Sequence, residues 1–258
     1  MLPRRRCPAT RPPTLPAMRR IADLPYSPVH PRCTADLYLP AACTGDAVLW
    51  LHGGGMVEGD KGGPLPPILV PEGFALGMAN YRLLQHAPFP ACIEDAAAAW
   101  RWLPDALRQH GVGPRRLFLG GESAGAYLAA MVGLDPARHA GASQPAGVIP
   151  LSGQMSSHFA YRPSLGRRAN QPVVDAYAPL WHVRADAPPL LLIVGSDDLP
   201  CRPEENALMA AAMRDNGHAA TRLHVIPGRT HGTIGQGVRD AEDPVTKLIH
   251  GFLSSPFR

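Results

Sequence analysis

The chain has 258 residues, 45% of them hydrophobic and 18% charged, with a formal net charge of +4. That is enough apolar sequence for one large domain with a buried core, and it argues against a disordered chain. The charge is mild, with no dense basic run beyond Arg4–Arg6 and no interleaving of basic and aromatic residues, so no nucleic-acid partner is expected; nor does any stretch reach the roughly 20 apolar residues of a membrane span.

Residues 1–17 are basic and proline-rich and lack the apolar centre of a secretory signal. Residues 1–20 are therefore expected to form a disordered tail, with Met18 an alternative start and 21–258 a single domain. The cysteines (Cys7, Cys33, Cys43, Cys92, Cys201) are scattered, odd in number and free of C-x-x-C spacing. This points away from a disulfide framework or structural zinc and toward a reducing, cytoplasmic setting.

"TADLYLP" (34–40) alternates like a half-buried strand, and "AVLWLH" (47–52) is a short apolar run suited to a strand buried on both faces. "GFALGMANY" (73–81) reads as a third strand. Over 88–110, Ile93, Ala97, Trp100, Leu103 and Leu107 recur at helical spacing, with Gly111 just past the end. Strand "RLFLG" (116–120) then runs through a glycine turn into a helix ending near 134. Strands are predicted at 147–153, 189–196 and 221–226, and helices at 203–217 and 243–253. Strands alternating with helices imply a mostly parallel sheet in an α/β architecture. The aperiodic stretch 154–181 is long for a plain connection, which makes it a candidate lid or substrate-shaping insertion. Within it, His158 and Tyr161 are candidates to line the pocket, though a solvated loop is the preferred reading.

Open α/β sheets bind ligands at the carboxyl ends of their strands, and the notable polar elements fall there. His52-Gly53-Gly54-Gly55 follows the second predicted strand, and Gly121-Glu122-Ser123-Ala124-Gly125 matches G-x-S-x-G between a strand and a helix. Ser196-Asp197-Asp198 follows a later strand, and "PGRTHG" with His231 follows the last one. "GMVEGDK" fails as a phosphate loop, because Asp60 separates glycine from Lys61 and no Ser or Thr follows. "HPRC" (30–33) lacks further ligands for a metal. His52 is expected to pin the glycine loop, and His218 to cap a helix end as a cation.

"LWLHGGG", "GGESAGAYLAA", "PPLLLIVGSDD" and "IPGRTHG" together resemble the carboxylesterases of the hormone-sensitive-lipase-like, HGGG type, and "ANYRLLQHAPFPACIEDAAAAWRWL" (79–103) is similar to the segment those enzymes carry between oxyanion loop and nucleophile. Two departures are Met56, where the family often has an aromatic residue, and the lack of helical periodicity before HGGG. The resemblance implies an α/β-hydrolase fold without an N-terminal cap domain, close to the compact bacterial esterases that shade into arylformamidases. It implies a serine esterase acting on a small-molecule ester of a short acyl chain, acetyl among them, with no cofactor and no metal. A homo-oligomer is compatible with this reading.

Acyl transfer needs a nucleophile, a base and an orienting acid, and these fall to Ser123, His231 and Asp198. The oxyanion donors are the backbone amides of Gly53, Gly54, Gly55 and Ala124. Asp198 is preferred to Asp197 on the resemblance, and because neighbours leaving a strand point to opposite sides. An amide-hydrolysing arylformamidase would use the same triad; a non-catalytic binding protein of this fold would commonly lack the base.

Overall fold

The computed structural model describes residues 18–62 and 69–255. Its strands are β1 (Met18–Pro25), β2 (Thr34–Pro40), β3 (Ala47–Leu51), β4 (Ala75–Ala79), β5 (Leu117–Glu122), β6 (Gly147–Leu151), β7 (Leu190–Asp197) and β8 (Thr221–Thr230). They form one sheet in the order β1-β2-β4-β3-β5-β6-β7-β8. β1 pairs with β2 and β2 with β4 in antiparallel fashion, and from β4 to β8 every pairing is parallel.

The apolar runs of β3, β4 and β6 are buried along their whole length, as expected of strands covered on both faces. Alternation divides their side chains between two cores. Leu49 and Leu51 face helices α1 (Ala91–Gln109), α2 (Ala124–Leu134) and α3 (Arg202–Asp215), whereas Val48 and Trp50 face α4 (His231–Gln236) and α5 (Pro244–Ser254). Among the described residues no helix precedes β3.

One boundary needs correcting. Met18–Arg20, placed in the tail from sequence, open β1 and pair with Pro40, Leu39 and Tyr38; residues 1–17 lie outside the described residues. β1 carries little apolar signal because its exposed face is charged. Ladder bonds hold it, together with the ion pair from Arg20 to the fully buried Asp36 at 2.7 Å.

The chain leaves β3 toward β4 on one side and returns across it to β5 on the other. The carboxyl ends of β3 and β5 therefore flank the point where the winding reverses, the place where such sheets open a crevice. Leu51 pairs with Gly121, so the loop after β3 stands beside the turn after β5.

Candidate active site

At the end of β5, Ser123 sits at φ +55°, ψ −113°, between a strand and a helix. A non-glycine residue here is strained and is held by its neighbours. Its amide donates to Leu151 O at 2.9 Å, and its carbonyl accepts the first helical bond from Tyr127 N at 3.0 Å. The flanking glycines make the turn sterically feasible. A Cβ on Gly125 would stand 2.1 Å from Leu51 O, and one on Gly121 would stand 2.4 Å from Gly125 C. Helix α2 can thus begin directly against β3, with the serine at its positive end.

The acid and base come from neighbouring strand ends. Asp197 pairs with Thr230 across β7 and β8, so the next residue of each strand, Asp198 and His231, leaves the ladder side by side. Thr230 caps α4: its hydroxyl accepts from Thr233 N while the Thr233 hydroxyl accepts from Thr230 N, which fixes His231 at the first helical position. His231 Nδ1–H donates to Asp198 Oδ1 at 2.7 Å, and the Ser123 hydroxyl donates to His231 Nε2 at 2.9 Å. The other carboxylate oxygen of Asp198 accepts from the Ser152 hydroxyl, and Leu199 N donates to Oδ1 at 2.6 Å. Burial alone would raise the Asp198 pKa, but His231, Ser152 and the Leu199 amide together hold it below the usual carboxylate range. Asp197 is exposed and accepts from the Ser196 hydroxyl at 2.9 Å, so it does not join this line.

The glycine loop lies against the nucleophile. A Cβ on Gly53 would be 3.4 Å from Ser123 Cβ, and Gly54 adopts φ +105° with its carbonyl accepting from Val57 N and Glu58 N. Among the described residues no acceptor takes the amide hydrogens of Gly54 or Gly55. His52 pins the loop as expected: it stacks on Tyr81, Nδ1–H donates to Gly53 O at 2.6 Å, and Nε2 accepts from Arg32 Nη2 at 3.3 Å. Burial pushes its pKa down to about 4, so the ring is neutral, as this bonding requires. Met56, the departure from the family pattern, is fully buried at φ +68°.

Two histidines differ from expectation. His218 is buried and its ring meets no helix carbonyl, bonding instead through Nδ1 to Thr221 Oγ1 at 2.7 Å and through Nε2 to Ala187 O at 3.0 Å. His158 is not open to solvent but 1% exposed, between the rings of Tyr127 and Phe159, and Tyr161 stacks on Phe89 with centroids 4.0 Å apart. The 154–162 stretch turns inward because Glu205 accepts hydrogen bonds from Met155 N and Ser156 N. Sequence reasoning also missed Ser152 and Arg32. Ser152 stands just past β6, between the strand ends that carry Ser123 and Asp198, and neither it nor Arg32 carries a local sequence signal.

The chain is similar to known proteins. The BD-FAE family model matches residues 35–156. Esterase LipI of Mycobacterium tuberculosis is 35% identical over 182 residues, covering 62% of this chain and 56% of LipI. Ethyl acetate hydrolase of Pseudomonas putida is 28% identical over 232 residues, covering 81% of this chain and 73% of its own. The native structure of the thermophilic esterase Est2 from Thermogutta terrifontis superposes with a TM-score of 0.75 at 26% identity, covering 94% of this chain and 93% of that one. The chain has the α/β-hydrolase fold, and the proteins it is similar to are esterases. This α/β-hydrolase spans little more than half the length of LipI. Est2 has also been solved with propionate bound, with butyrate bound, and phosphorylated by paraoxon.

Proposed function

We propose that the chain is a serine carboxylesterase that hydrolyses short-chain acyl esters through an acyl-enzyme. The observation that carries this reading is the unbroken hydrogen-bonded line from Asp198 through His231 to Ser123. Ser123 Oγ attacks the ester carbonyl as His231 Nε2 takes its proton, and Asp198 holds the imidazole in the required tautomer. The amides of Gly53, Gly54, Gly55 and Ala124 stabilise the oxyanion, each donor worth about 3 kcal/mol. His231 returns the proton to the departing alcohol, and water then releases the acid by the reverse sequence.

The short-chain preference is supported by the propionate- and butyrate-bound Est2, by the relative named an ethyl acetate hydrolase, and by Phe159, whose ring stands 3.4 Å from a Cβ position on Gly55. The test joins a fluorophosphonate label to a ladder of 4-nitrophenyl esters. Wild type should be labelled, and its kcat/KM should be higher for acetyl or butyryl than for dodecanoyl esters. Ser123→Ala should lose the label and more than about 99% of the activity while keeping its fold. Retained activity would remove Ser123 as nucleophile; the reverse chain-length order would remove the short-chain reading.

A further inference from the structure

A cavity of about 340 Å³ lies beside the triad, its walls formed by Phe159, Arg162, Leu199, Cys201, Arg202 and Glu205 among others. It shares two walls with the site: the Phe159 ring borders the Gly55 loop, and Leu199 directly follows Asp198. The charged groups in it are unequally matched. Glu205 is saturated, accepting from Met155 N at 2.8 Å, from Ser156 N at 3.0 Å and from the Ser156 hydroxyl at 2.6 Å. Arg162 is also satisfied, donating to Ser157 O, Ala169 O and Ser156 Oγ at 2.7–2.8 Å.

Arg202 is different. It is 4% exposed, yet its guanidinium has one acceptor among the described residues, Ser152 O, and no carboxylate within ion-pair distance. Burial lowers its pKa against the pull of Asp198 and Glu205, and Arg162 adds repulsion. A buried cation so placed is costly unless an anion meets it. The remaining N–H groups of Arg202 form a planar fork suited to a carboxylate, and Phe159 and Leu199 supply apolar wall for the methylenes leading to it.

We propose that this cavity is a subsite for a carboxylate carried by the ester substrate, with Arg202 as the group that meets it. The proposal deepens the esterase reading and rests on it. The carboxylate can enter on the acyl or on the alcohol side, and two substrate pairs separate these: the 4-nitrophenyl monoester of glutaric acid against 4-nitrophenyl valerate, and the butyryl ester of 4-hydroxybenzoate against phenyl butyrate. In one pair, wild type should favour the carboxylated ester by about tenfold in kcat/KM, and Arg202→Gln should abolish that preference. An Arg202 that only holds Ser152 in place would lower both members of the pair equally, which would overturn the proposal. Asn170→Asp, at the exposed rim of the cavity, tests it without altering a buried residue and should also reduce the preference. Hydrolysis of the neutral esters with no carboxylate preference in either pair overturns the subsite and leaves the esterase standing. No hydrolysis of any ester overturns both.

Discussion

A carboxylate orients an imidazole only from within hydrogen-bond reach, and the ladder between β7 and β8 determines which of two neighbouring aspartates has it. Asp197 remains in the ladder opposite Thr230, while Asp198 emerges beside His231. Asp198→Asn should therefore keep the fold but favour the wrong imidazole tautomer, lowering kcat about a thousandfold or more. Asp197→Asn should cost far less, and kcat for the two variants checks the ranking. The three side chains were legible in the sequence because each follows a strand in a recognisable motif. Ser152 and Arg202 were not: they act on Asp198 and its surroundings through contacts between segments 46 and 50 residues apart, which no local pattern encodes.

At the scale of elements, the turn between β5 and α2 depends on backbone contact. Gly125→Ala would put a methyl 2.1 Å from Leu51 O and 2.5 Å from His52 O, neither of which can move without disturbing β3. The variant should lose about 3 kcal/mol of stability, read by denaturant titration, and activity should fall with it as the glycine loop shifts. The strands buried on both faces were the easiest elements to read, since a short apolar run closed by glycine is too brief for a helix and too apolar for a surface loop. β1 was missed because it is a charged edge strand. β8 was read as ending at Ile226, yet it continues to Thr230, because "PGRT" looks like a turn until its pairing with β7 is seen. The 154–181 stretch was opaque for a related reason: Met155 and Ser156 answer to Glu205, far along the chain, and not to any period of their own.

For the molecule as a whole, buried histidines set the acid limit. Burial, reinforced by Arg202 and Arg162, pushes His158 down to about 3, and His52 lies at about 4, both from an ordinary 6.5. A depressed histidine contributes stability that is present above its unfolded pKa and is lost as pH falls toward its folded one. Asp36 and Asp198, held low in the fold, act in the same direction at lower pH; Glu122, raised by burial, opposes them. The melting temperature should therefore drop as pH falls from 6.5 toward 4, and His158→Gln should reduce that drop. An unchanged slope would show that His158 does not sense the acid. The sheet order also bears on timing during synthesis. β8 is an outermost strand with a single neighbour, and it carries the imidazole at its far end. A chain emerging from the ribosome completes its serine turn more than a hundred residues before that strand exists. In the proposed mechanism the serine has nothing to take its proton until β8 docks, so a chain still being made, or one cut short of residue 231, should be inert however well the rest of it has folded.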